Sequence, residues 1–94
     1  MFWTYILYSP SHNRYYVGQT DDIRARLQYH LAGSTAYTHQ ASDWQLVFVQ
    51  EQATRADALR LEREIKQKKS HATIQRYLRD GRNQIPVPVP IADW

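Results

Sequence analysis

The sequence predicts an α+β domain, a three-stranded antiparallel sheet flanked by helices in the order β-β-α-β-α-α. Three observations predict it. Two strand-like runs at the start, Phe2 to Tyr8 and Arg14 to Gln19, are separated only by a turn cluster. Apolar residues then recur at helical spacing, in Ile23, Leu27 and Leu31 and again in Ala58, Leu61 and Ile65. Between those two helical patterns lies a compact apolar run, Trp44 to Glu51.

Each element has a local signature. Phe2 to Tyr8 is too apolar on both faces for an exposed strand and reads as a central one. Ser9-Pro10-Ser11-His12-Asn13 is a five-residue hairpin loop, and Gly18 near the end of the second strand suits a close backbone approach. Thr20-Asp21-Asp22 opens the first helix, with a capping residue and acids in its first turn, and Gly33 supplies a left-handed cap. Gly33 to Asp43 is loop, and Trp44 to Glu51 the third strand. Thr54 with Asp57 resembles a capping box and starts a helix to about Lys69. Ser70 or His71 to Leu78 is a shorter helix with Ile74, Tyr77 and Leu78 as its apolar residues, ended by Gly81. Ile85-Pro86-Val87-Pro88-Val89-Pro90-Ile91 cannot continue a helix and is extended, polyproline-like chain. The expected division is therefore a domain over 1–80 and a proline-rich tail over 81–94. That tail is either a strap on its own domain or a handle for a partner.

Ninety-four residues, 43% of them hydrophobic, allow one modest core and argue against disorder. The absence of cysteine excludes both a disulfide framework and a thiolate zinc site. The apolar run at the N-terminus is too short for a signal peptide or a membrane span, so a soluble cytoplasmic protein is expected. The net charge of +3 is unevenly spread: Arg60 to Arg82 holds eight basic residues against Glu62, Glu64 and Asp80. Such a patch attracts phosphates, although solvated basic helices are also common in proteins that bind none.

Some residues stand out against this background. Glu62 occupies a position on the second helix where the stripe calls for Leu, so its carboxylate needs a partner. A structural ion pair and a metal ligand at a cleft both satisfy that need. Arg26 lies beside the first helix's stripe, with His30 one turn later on the same side. Together they can hold two oxygens of one phosphate; alternatively Arg26 only covers its helix with its aliphatic stem. Tyr5 and Tyr16 fall on paired strands of one hairpin. A phenol, with an ordinary pKa of ~10, works as a base near neutrality only if neighbouring positive charge lowers that value. Packing accounts for them equally well.

Taken in order, these residues resemble the GIY-YIG nuclease superfamily. The correspondence begins with Trp3-Thr4-Tyr5, an eleven-residue step from Tyr5 to Tyr16-Val17-Gly18, and Arg26 ten residues further on. His30 and the segment Ala58-Leu59-Arg60-Leu61-Glu62 complete it, and the resemblance extends over about Phe2 to Leu78. Wording such as Tyr5-Ile6-Leu7-Tyr8, Trp44-Gln45-Leu46-Val47 and Glu62-Arg63-Glu64-Ile65-Lys66 is closest to the small stand-alone bacterial branch. Trp3 stands where the motif has Gly, so the first triplet keeps only its Tyr.

The resemblance implies a divalent-metal-dependent endonuclease acting on nucleic acid, DNA in the first instance, in repair or turnover. It implies that Glu62 holds one Mg²⁺ or Mn²⁺ and that Arg26 stabilises charge at phosphorus. Tyr16, or else Tyr5, orients or deprotonates the attacking water. His30 contacts a phosphate oxygen, and Gly18 lets the backbone close around the group. Lys66, Lys68, Lys69 and Arg76 are the expected nucleic-acid contacts, and a protein partner is expected to supply specificity. Two other functions remain: a noncatalytic nucleic-acid-binding module on the same fold, and a protein-interaction module that uses the proline-rich tail.

Overall fold

The computed structural model describes residues 1–32, 41–68, 70–85 and 87–91. Its elements are β1 (Phe2–Ser9), β2 (Arg14–Thr20), α1 (Ile23–Leu31), β3 (Gln45–Gln52), α2 (Arg55–Lys66), α3 (His71–Leu78) and a two-residue β4 (Val89–Pro90). The sheet runs β2-β1-β3-β4, and each neighbouring pair is antiparallel. The three main strands and three helices agree with the predicted α+β order, and the short fourth strand is an addition from the tail. Gly33 and most of the loop after it, and Lys69, lie outside the described residues.

Burial follows from the alternation of β1. Tyr5 and Leu7 face one side, where they pack with Leu27 of α1 and with Trp44, Leu46, Val49, Ile85 and Ile91. Ile6 faces the other side with Val17, Val47 and Phe48, under Leu61 and Ile65 of α2 and Ile74 and Tyr77 of α3. A strand with both faces covered must be apolar throughout, which is why β1 reads as a continuous hydrophobic run. The register shifts between Ile6/Phe48 and Leu7/Leu46, so that Val47 is an extra residue in β3. This bulge keeps Val47 and Phe48 on one face and Leu46 and Val49 on the other.

Polar side chains fix the joints. In the hairpin loop Asn13 takes a positive φ of 49°, a conformation that Asn tolerates better than most residues, and its Oδ1 accepts from the Tyr8 hydroxyl at 2.8 Å. Asp43 closes the same loop, accepting from the Ser9 and Ser11 hydroxyls and the Ser11 amide. Asp22 caps α1 by accepting from the Ala25 amide, and Thr54 caps α2 by accepting from the Asp57 amide. The buried Thr4 hydroxyl donates to the Ala58 carbonyl at 2.9 Å and pins α2 to β1 one turn before Glu62.

Two expectations need correction. Leu31 is 43% exposed rather than part of the buried stripe of α1; its place on the inner face belongs to His30, which is 1% exposed. The inner face is thus Ile23, Arg26, Leu27 and His30, an i, i+3, i+4, i+7 pattern that carries two polar groups toward the sheet. Helix α2 ends at Lys66 rather than Lys69, tightening into a 3₁₀ turn where the Lys68 amide donates to the Ile65 carbonyl. Beyond that turn the Ser70 carbonyl accepts from the amides of Thr73 and Ile74, and Ile74 packs back onto the sheet.

Asn83 holds the end of the domain together. Its Nδ2 donates to the carbonyls of Val47 and Leu78, and its Oδ1 accepts from the amides of Val49 and Ile85. One side chain therefore joins the end of α3, strand β3 and the segment that delivers Ile85 to the core. Asn83→Ala is expected to destabilise the domain by about 2 kcal/mol or more, because several part-buried backbone groups lose their partner together. Asn83→Asp keeps the acceptor and loses the donors, so its urea midpoint should fall between those of Ala and wild type.

Candidate active site at the edge of the sheet

The pairing of β1 with β2 sets Tyr5 opposite Gly18 and Leu7 opposite Tyr16. Tyr5, Tyr16 and Gly18 share the face covered by α1. The ring of Tyr5 lies across Gly18 so closely that a Cβ there would stand 2.6 Å from the Tyr5 hydroxyl and 2.8 Å from Cζ. Only a glycine leaves room for the phenol in this orientation, which is the physical content of the close approach expected at this position.

Helix α1 brings its inner polar pair to that phenol. Arg26 Nε donates to Tyr5 Oη at 3.3 Å, and Tyr5 Oη is 2.7 Å from His30 Nε2. With the phenol oxygen accepting from Arg26, its proton is assigned to His30 Nε2, which puts the imidazole proton on Nδ1. His30 Nδ1 is buried and has no partner among the described residues. Tyr16 closes the cluster, its ring 6.2 Å from Tyr5 in a stacked arrangement and 4.7 Å from the His30 ring, edge to face. Arg26 is steadied from the outside by Tyr29, whose ring lies 4.8 Å under the guanidinium carbon. Tyr29 had no assigned role in the sequence; its place three residues after Arg26 on one helix was the available signal.

The electrostatics follow from burial. Burial pushes the Tyr5 phenol well above its ordinary range; the Arg26 hydrogen bond opposes this, and the charges of Tyr16 and Glu62 add to the rise. Tyr5 is therefore a neutral phenol at physiological pH. Burial and then the Arg26 charge push His30 down to about 4, so it is a neutral imidazole. Arg26 is held above its ordinary value, chiefly by its bond to Tyr5, and keeps its charge. The cluster therefore carries one positive charge on a neutral hydrogen-bonded base. His30 was expected to contact a phosphate oxygen. Its ring is instead buried and its Nε2 bonded to the Tyr5 hydroxyl.

Glu62 comes from α2, the helix on the opposite face of the sheet, rather than from the surface that carries Tyr5. Strand β2 is the sheet's edge, and the two faces communicate around it. Tyr16 touches the His30 side and also lines a groove with Ile65 and Lys66 on the α2 side. The Glu62 charge acts on the Tyr5 phenol, so the carboxylate is within electrostatic reach of the cluster. Its side chain is 15% exposed and accepts from Lys66 Nζ at 2.9 Å. Among the described residues no group of three or more His, Asp or Glu side chains could hold a metal ion. A single carboxylate suits a cation such as Mg²⁺ that keeps most of its water and completes its shell with substrate phosphate, provided Lys66 moves aside. Lys66, Lys68 and Arg76 are exposed on the α2–α3 side, and no helix among the described residues is long and apolar enough to cross a membrane.

The model of the GIY-YIG catalytic domain matches residues 1–77. That match covers the hairpin, α1, β3, α2 and nearly all of α3, and the chain belongs to the GIY-YIG nuclease superfamily. No curated protein and no solved structure matches it.

Two outcomes test this arrangement. The folded pKa of His30 lies below its unfolded value of ~6.5, so the unfolded chain binds the extra proton first as pH falls. The stability this provides is complete above about pH 6.5 and is lost toward pH 4, by up to roughly 3 kcal/mol. Urea midpoints at pH 7.5 and pH 5 should differ in wild type and differ less in His30→Gln. Gly18→Ala should displace the Tyr5 ring and destabilise the fold by about 1–3 kcal/mol. The near-ultraviolet tyrosine signal should change with it, since the clash is with a rigid ring rather than a flexible chain end.

Proposed function

We propose that this chain is an endonuclease that hydrolyses phosphodiester bonds of nucleic acid, DNA in the first instance, in repair or turnover. The observation that carries this reading is the Tyr5 phenol held at once by Arg26 and His30 beside Tyr16 and Gly18. It fixes one permanent positive charge next to one phenol at the rim of a sheet. A guanidinium so held suits the charge that develops on a phosphoryl group, because it is already oriented when that charge appears.

The roles divide by environment. Arg26 binds the scissile phosphate and stabilises its developing charge. Tyr5, kept neutral by burial, positions Arg26 and serves poorly as a base. Tyr16, nearer the rim, orients the attacking water through its hydroxyl. His30 keeps Tyr5 in register from behind. Glu62 would hold the Mg²⁺ or Mn²⁺, which supplies Lewis-acid polarisation of a phosphoryl oxygen when bound. Lys68 and Arg76, with Lys66 once released from Glu62, provide sequence-independent affinity for the strand. A protein partner would add specificity.

One observation favours a second reading. The Glu62 carboxylate is already neutralised by Lys66, as it would be in a module that binds nucleic acid without cutting it. Glu62→Gln separates the two. Under the nuclease reading, cleavage in Mg²⁺ falls by orders of magnitude while binding measured in chelator hardly changes. The double replacement of Lys68 and Arg76 by Ala should do the opposite. Binding weakens, the log–log salt slope falls by about 1–2, and cleavage recovers at saturating substrate. If wild type and Glu62→Gln are equally inert on single-stranded, duplex, flapped and branched DNA and on RNA, yet both bind, the binding module is the better description.

A further inference from the structure

A groove of about 360 Å³ adjoins the Tyr16 side of the cluster. Its floor is Val17 of β2 with Ile65 of α2 and Ile74 of α3; Tyr15 forms a wall, and Lys66 and Lys68 stand at its rim. Tyr16 belongs both to this groove and to the ring cluster around His30, so the groove begins where the proposed chemistry ends. Tyr15 is itself braced, its ring 4.6 Å from that of Tyr8 and 5.0 Å from that of His71. Lys68 also borders a second hollow with Thr73 and Arg76, in which Arg82 is paired with Asp80, so Arg76 is the cation that extends the positive rim along α3.

Resting on the nuclease reading above, we infer that this groove receives an unpaired base next to the scissile phosphate, and so selects single-stranded or frayed nucleic acid. An apolar floor beside a braced aromatic ring suits the face or edge of a nucleobase, which every sequence offers. The Lys68 ammonium at the rim, joined by Lys66 once it leaves Glu62, suits the phosphates beside that base, and a free apolar ligand would have no use for it. The groove is continuous with Tyr16, so the base that enters belongs to the strand being cut. A base held in a duplex is already stacked and paired. It must be unstacked and unpaired to enter, which favours strands in which that step is already complete.

The test uses the intact protein, in chelator, with fluorescently labelled oligonucleotides. Wild type should bind a single strand about tenfold or more tighter than the blunt duplex of the same sequence. An abasic nucleotide is then moved along the single strand. One position should lose about tenfold in affinity, and positions further away little. Tyr15→Ala should abolish the preference for the single strand while duplex affinity changes by less than twofold; Lys68→Ala should weaken both forms alike. Equal binding of single strand and duplex overturns the inference, as does an abasic walk with no sensitive position. The abasic walk does not depend on any variant folding. These measurements need no cleavage, so they fail separately from the nuclease reading: a flat abasic walk with Glu62-dependent cutting intact removes the groove alone. Absence of binding to any nucleic acid, together with absence of cleavage, removes both.

Discussion

The hydroxyl of Tyr5 is the point on which the rest of the site depends. It is a buried polar atom lying over Gly18 of the edge strand, and burial without partners would destabilise the fold. Arg26 and His30 satisfy it together, so the same two bonds that make the core tolerable also aim a guanidinium at the rim. Stability and the proposed chemistry are coupled here through one oxygen. Gly18 belongs to this coupling, because a side chain there would occupy the space of the ring. So does Tyr29, which stacks against the guanidinium from the solvent side.

Much of the fold was legible because its signals are local. The hairpin, the Thr54 cap and the Ala58/Leu61/Ile65 stripe all arise from neighbours within a few residues, and the structure has them where the sequence pattern put them; α1 starts slightly later than expected, with Asp22 as its cap and no acid in its first turn. The inner face of α1 was harder. A four-residue apolar spacing points to Leu31, but the helix turns so that His30 faces inward, because a hydrogen bond to a buried phenol can replace an apolar contact. Periodicity weighs hydrophobicity and has no access to a partner twenty-five residues away in sequence. The same blindness applies to Asn83, whose four backbone contacts come from three separate segments.

The candidate site divides along similar lines. Tyr5, Tyr16, Gly18 and Arg26 were recognisable from their order and spacing, and they lie together on the α1 side of the sheet. Glu62 was singled out as a polar intruder in an apolar stripe, but its approach from the opposite face follows from strand order rather than spacing. That β2 lies at the edge makes this arrangement workable, since groups on two faces can meet around a strand that has no outer neighbour. His30 was singled out for a phosphate contact, whereas its ring is buried against Tyr5, because burial cannot be judged until the orientation of the helix is known.

The short fourth strand has a consequence for how copies of this domain meet. A sheet with two open borders invites strand-by-strand growth, and its borders must be blunted. Val89–Pro90 pairs with Gln45 and Leu46, and Pro90 cannot donate from its nitrogen, so the β3 border ends in a residue unsuited to further pairing. Among the described residues, what is left open is the border formed by β2, beside the candidate site. Under the proposed function, backbone pairing of copies at that margin would compete with nucleic acid for the same surface.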